Sequence, residues 1–439
     1  MEQTNLSQEE KRELRRKRRQ RNQVAAYLTL IFFIIVLAVG IVFGVRSLTA
    51  NNSEKVEEQQ NKVEEAIGTE ETIVVPEPTE QVVELTPEQK LDEIVNAGIE
   101  VMPLEDKVAG LFIVTPESIT GVSAAVQAGE GTQKALSQYA VGGIVYFGKN
   151  MQSEEQLKGM IDNTQLYTKY PLFIAVDEEG GSVSRVAEAG IGTKVDSAQT
   201  IGQTGDANNA YTAGNTIGSY LTGLGFNLDF APVADLANAE GSVMEKRAYG
   251  SDAAAVSPFV TSMMQGLEEQ KVTACVKHFP GIGSTTADTH DGLATTDRSA
   301  EDFRANEFVV FQNAIDAGAN MIMVGHMSAP ALAGDNTPSS LSSAVVTDIL
   351  RNELNFRGVI ITDAMNMAAI SNYYGADEAA IMALKAGCDM ILMPEDFEKA
   401  YNGVMEAVRN GTISEERIND SLRRIYRIKY ADKIGGQVP

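Results

Sequence analysis

The sequence is poor in the residues that build metal centres and disulfides: it has three histidines and two cysteines among 439 residues. No His/Cys cluster has metal-ligand spacing, so neither a metal nor an organic cofactor is implied. Cys275 and Cys388 each sit inside an apolar run and read as buried thiols rather than halves of a disulfide. Positive charge is also scarce, 36 Lys and Arg against 60 Asp and Glu, and the net charge of −24 argues against a nucleic-acid partner. No Gly-x-Gly-x-x-Gly follows the first apolar strand candidate, which weakens the case for an open dinucleotide-binding sheet.

The charge that is present is unevenly placed. The first fifty residues carry nine Lys and Arg against four Glu, whereas residues 51–100 carry three Lys against fourteen acids. Behind the basic tip (residues 1–23), residues 24–45 contain no charge. As a helix they would be roughly 33 Å long, enough to span a bilayer core of about 30 Å. A cleaved signal peptide would have a shorter apolar region and a small-x-small site after it, so an uncleaved signal anchor is expected. The basic flank would stay in the cytoplasm, with the rest of the chain outside. No cysteine follows the run, which excludes a lipid anchor on a mature N-terminal cysteine. Residues 46–100 are acidic and poor in aromatics, with Pro76 and Pro78 interrupting any helix, and read as a disordered tether.

From residue 101 the composition becomes globular. Apolar runs at 111–114, 143–147, 172–177, 227–231, 272–278, 321–326, 359–363 and 390–393 alternate with amphipathic segments such as 154–166, 210–224, 259–268, 305–317, 343–354 and 379–386. Near-continuous apolar strands alternating with helices predict a parallel sheet covered on both faces. Eight of them fit an α/β fold of the closed (β/α)8 TIM-barrel type over residues 101–439. The strand ends are polar: Asp177, Lys277-His278, His326 and Asp363. In a barrel these ends converge on one mouth, where chemistry is done. After His278 a proline and two glycines open a loop that delivers Asp288 and His290 two positions apart, a carboxylate and an imidazole suited to acid–base work. Taken singly, Asp288 and Asp363 also read as helix caps, His290 as a solvent-facing loop residue, and Arg185 and Arg247 as structural ion-pair partners.

Lys277-His278-Phe279-Pro280-Gly281 with Asp288-Thr289-His290 resembles glycoside hydrolase family 3, and within it the single-domain β-N-acetylglucosaminidase (NagZ-like) branch. Further fragments agree in order: Asp177-Glu178-Glu179-Gly180-Gly181 with Arg185, Phe230-Ala231-Pro232-Val233-Ala234-Asp235, Arg247-Ala248-Tyr249-Gly250 and Ile361-Thr362-Asp363-Ala364-Met365. The resemblance implies Asp363 as nucleophile, His290 as general acid/base and Asp288 as the group that holds and polarises it. It implies Asp177, Arg185, Arg247, Lys277 and His278 as sugar ligands. No second globular domain follows the barrel, so the Asp-x-His loop has to supply the acid. His326 is placed in the core or behind the site, and Met393-Pro394 beside the pocket. The chain departs from the family pattern at Glu178 for Gln, Thr289 for Ser and Ile282 for a second histidine.

The expected protein is a membrane-tethered extracellular exo-glycosidase acting on terminal β-N-acetylglucosamine, with cell-wall fragments as substrate. A β-glucosidase or xylosidase, a phosphorylase of the same family and a catalytically retired wall-binding barrel are the alternatives.

Overall fold

The computed structural model describes residues 85–285 and 292–431. Eight parallel strands close into a barrel: β1 (Phe112–Val114), β2 (Gly143–Val145), β3 (Phe173–Val176), β6 (Leu228–Asp229), β7 (Thr273–Phe279), β8 (Met321–Val324), β9 (Val359–Ala364) and β10 (Met390–Leu392). Neighbours in this order are paired in parallel, and β10 closes on β1 through Phe112 opposite Ile391. The strands are buried along almost their whole length because helices cover the outside and side chains fill the inside, which is why they read as unbroken apolar runs. Every expected strand is present: β9 runs one residue further, β7 is shifted one residue toward the C-terminus, and the others are shortened by a residue or more at one or both ends.

Between β3 and β6 the chain inserts an antiparallel hairpin, β4 (Glu178–Gly180) and β5 (Val183–Ser184), that periodicity did not reveal. Its turn needs glycine. Gly180 and Gly181 have φ of 92° and 59°, and a Cβ on Gly180 would lie 2.8 Å from Val195 Cγ2. The helix expected over 305–317 is Glu307–Asp316, and a separate short helix, Ala300–Ala305, precedes it with a break at Asn306 (φ −128°, ψ −86°). The expected helix at 343–354 is a wide π-type helix, Ala344–Glu353.

One boundary needs correction. The last part of the expected tether, Pro87–Glu100, is a helix. Thr86 and Gln89 form a reciprocal capping box with Pro87 at the first turn, and Leu91, Val95 and Ile99 recur every four residues and are buried. Arg427 pairs with Asp92 and Arg423 Nε donates to Asn96 Oδ1 at 3.0 Å, tying this helix to Glu415–Tyr430. The basic tip, the apolar run at 24–45 and the tether up to residue 84 lie outside the described residues. Among the described residues no helix is long and apolar enough to cross a membrane.

The N-terminal end of the barrel is held by charge. Asp389, directly before β10, is fully buried. It accepts from Arg351 Nη2 at 2.7 Å, Arg424 Nη1 at 2.9 Å, Ser421 Oγ at 2.8 Å and the Ile360 backbone N–H at 2.9 Å. Removing one partner of a buried ion network leaves the others desolvated and uncompensated. Asp389→Ala is expected to lose about 3–5 kcal/mol of stability, read from the midpoint of denaturant unfolding.

Candidate active site at the barrel mouth

The polar residues foreseen at strand ends do meet at the C-terminal mouth, and what joins several of them is a residue the sequence reading passed over. Lys277, in β7, is buried, and its Nζ lies 2.8 Å from Asp177 Oδ1 and 2.6 Å from Glu179 Oε1. Arg247 forks onto the same Glu179, Nε to Oε2 at 2.8 Å and Nη2 to Oε1 at 2.6 Å. Burial by itself would raise the Glu179 carboxyl, but the Lys277 and Arg247 charges outweigh it and hold it at about 2. Burial likewise works against the Lys277 ammonium, and Asp177 and Glu179 together raise it. Asp177, Lys277, Glu179 and Arg247 therefore form a continuous chain of donors and acceptors, well suited to sugar hydroxyls. The signal for Glu179 was available: side chains two apart along extended backbone point the same way, so Asp177 and Glu179 share a side.

Glu178 points elsewhere. Its Oε2 accepts from the Val186 N–H at 2.7 Å, and its Oε1 from the Ala187 N–H at 2.9 Å and the Tyr220 hydroxyl at 2.7 Å. All three partners donate, so a carboxylate meets them where an amide would present its NH2 to a donor. The departure from Gln at this position thus fastens the hairpin to the short helix Arg185–Glu188. Arg185, expected among the sugar ligands, stands apart from the Lys277 network, with Glu188 Oε2 4.0 Å from its Nη1.

Asp363 lies near the end of β9. The Ala364 N–H donates to its Oδ1 at 2.7 Å. Burial raises this carboxyl, but His278, His326, that N–H and Lys277 more than offset it, and the result is below the ordinary aspartate value. Asp363 is therefore an anion at neutral pH.

Two buried side chains brace this centre. Asp235 Oδ2 accepts from His278 Nδ1 at 2.7 Å and from the His278 backbone N–H at 3.2 Å, and its Oδ1 accepts from the Ile282 N–H at 2.7 Å. Through these contacts Asp235 orients the His278 ring and holds the backbone at residues 278 and 282 together. His326 is completely buried. Its Nε2 donates to the Ala364 carbonyl at 3.0 Å and its Nδ1 meets Ser340 Oγ at 2.8 Å, so it steadies the residue after Asp363 from behind. Ile282 is held through its backbone and buries its side chain. The loop base thus keeps its anchor without a polar side chain there.

Asp288 and His290 lie outside the described residues, which end at Thr285 and resume at Gly292. Met393, half-buried after β10, adopts φ 46°. Among the described residues no group of three or more His, Cys, Asp or Glu side chains is placed to hold a metal ion.

Residues 103–428 match the family described as glycosyl hydrolase family 3 N terminal domain. A β-hexosaminidase of Nitrosomonas eutropha is 35% identical over 271 residues, covering 60% of this chain and 77% of that protein. A β-N-acetylglucosaminidase/β-glucosidase of Cellulomonas fimi is 30% identical over 269 residues, covering 59% of this chain but only 47% of its own length. Among solved structures, a glycoside hydrolase family 3 β-N-acetylglucosaminidase from Paenibacillus sp. str. FPU-7 superposes with a TM-score of 0.72 at 34% identity, over 77% of this chain and 64% of that one.

Proposed function

We propose that this chain, which belongs to glycosyl hydrolase family 3 and is a glycoside hydrolase, removes terminal β-linked N-acetylglucosamine from non-reducing ends with retention of configuration. The observation that carries the reading is Asp363, an anion held at the barrel mouth beside the Asp177–Lys277–Glu179–Arg247 chain. The relatives that share the chain's family support the choice of sugar, since they include proteins named β-hexosaminidase and β-N-acetylglucosaminidase.

In this reading Asp177, Lys277, Arg247, His278 and Arg185 bind the terminal sugar. The Asp363 carboxylate attacks the anomeric carbon while the glycosidic C–O bond breaks. His290 gives its proton to the departing oxygen, and Asp288 holds the imidazole in the tautomer that makes this possible. Water then attacks the glycosyl ester, returns a proton to His290 and frees Asp363 with the sugar in its original configuration. The basic tip and the uncharged run at 24–45 support a single-pass membrane anchor with the barrel outside the cell, and peptidoglycan fragments are the substrate proposed there.

The test compares aryl β-N-acetylglucosaminide with aryl β-glucoside, with water or phosphate as acceptor. The expected kcat/KM preference for the acetamido sugar is about 100-fold, the β-anomer is the first product, and His290→Ala loses most on substrates with poor leaving groups. Preference for the glucoside would move the assignment to β-glucosidase, as the name of the Cellulomonas fimi relative allows. Sugar 1-phosphate as the product would make the enzyme a phosphorylase.

A further inference from the structure

Glu307 opens the helix Glu307–Asp316, is 1% exposed and makes no contact with the residues assigned above to the sugar. It lies against described residues on both sides of the stretch that carries Asp288 and His290 in the sequence. On the leading flank Gly281 (φ 121°) lies so close that a Cβ there would sit 2.4 Å from Glu307 Cγ. Asn238 Nδ2 donates to Glu307 Oε1 at 3.0 Å, while the backbone N–H groups of Asn238 and Ala239 donate to the Gly283 carbonyl at 3.2 and 3.1 Å. On the trailing flank Arg298 Nη1 pairs with the same Oε1 at 3.0 Å. One buried carboxylate thus ties residues 281 and 283 to residue 298.

We propose that Glu307 is a positioning residue for the general acid/base step, clamping both flanks of the catalytic loop in its ionised form and releasing Arg298 when protonated. The proposal rests on the roles given to Asp288 and His290 in the preceding subsection. The charged groups that face Glu307 are Arg298 and Asp235, with Asn238 as the neutral donor. Burial pushes the carboxyl up, Asp235 adds to this, and Arg298 and the hydrogen bonds oppose it, leaving it at about 7. The clamp therefore forms and opens across the neutral range.

Glu307→Gln keeps the shape and removes the charge. On a substrate with a poor leaving group at pH 8, kcat is expected to fall about tenfold with KM nearly unchanged. The gap should close toward pH 5.5, where wild-type Glu307 is itself protonated. A purely structural role would give the same loss at every pH, and a pH-independent gap, or a change confined to KM, overturns the proposal. Arg298→Gln removes the group that ionised Glu307 holds, so kcat at pH 8 should fall by about the same tenfold and the double variant should lose little more; fully additive losses also overturn the proposal.

Thermal unfolding separates this idea from the functional reading. A carboxyl raised from 4.5 to about 7 binds more protons folded than unfolded between those values, so wild type should lose Tm relative to Glu307→Gln as pH rises from 5 to 8. A wild-type enzyme inactive on every glycoside tested would sink the functional reading and, with it, the role given to Glu307. A Tm difference that does not vary with pH would sink the Glu307 proposal alone.

Discussion

Asp363→Ala should lower kcat on an aryl β-N-acetylglucosaminide by about 10^4-fold or more, with the fold intact. The reason is electrostatic and geometric together. Asp363 sits on a barrel strand rather than a loop, its Oδ1 is fixed by the Ala364 N–H, and the histidines and Lys277 around it keep it ionised despite burial. The nearby carboxylates cannot substitute, because Glu179 is committed to Lys277 and Arg247 and Asp235 to His278 and Ile282. Added azide should restore part of the turnover of an activated substrate by attacking the anomeric carbon from the vacated side, releasing the phenolate and forming a glycosyl azide of inverted configuration. Near wild-type turnover in the variant would end the assignment of Asp363 as nucleophile.

Glu179→Ala should be the most damaging change to binding and stability combined. It strands two cations, the buried Lys277 and the partly buried Arg247, whose other contacts are not enough to replace a shared carboxylate. The expected loss is about 3–5 kcal/mol of stability, with kcat/KM lower by about 100-fold as Lys277 and Arg247 lose their fixed positions. Urea unfolding and steady-state kinetics measure the two separately. The pH dependence has a definite sign. The folded carboxyl titrates at about 2 against 4.5 for the free group, so its stabilisation is complete above about pH 4.5 and is lost as pH falls toward 2. Wild type and Glu179→Ala should therefore converge in stability at the acid end. A variant as stable as wild type at pH 7 would mean the triad contributes little.

These two residues show how differently the site was written into the chain. Asp363 was legible because it ends an apolar run and stands in a motif, and both properties are local. Glu179 was not, although it lay between two residues already singled out, because its importance comes from Arg247 and Lys277, 68 and 98 positions away along the chain. Asp235 was quoted within a motif but given no task, since its partners His278 and Ile282 become neighbours only when β6 and β7 pair. Glu178 was read only as a departure from the family's Gln, and the hairpin turns it into a fastening. The helix Pro87–Glu100 was missed because a charged composition outweighed a four-residue repeat of three apolar side chains.

What the amino-acid order determined by itself was the number and sequence of the barrel strands, the polar residues at their ends and the family pattern, because each depends on periodicity or on a short stretch of neighbours. What only the closed barrel decided was which charges pair: Lys277 with Asp177 and Glu179, His278 with Asp235, Glu307 with Arg298. Burial makes each of those pairings decisive, since a desolvated charge without its partner is costly, and burial is a property of the assembled barrel rather than of any segment.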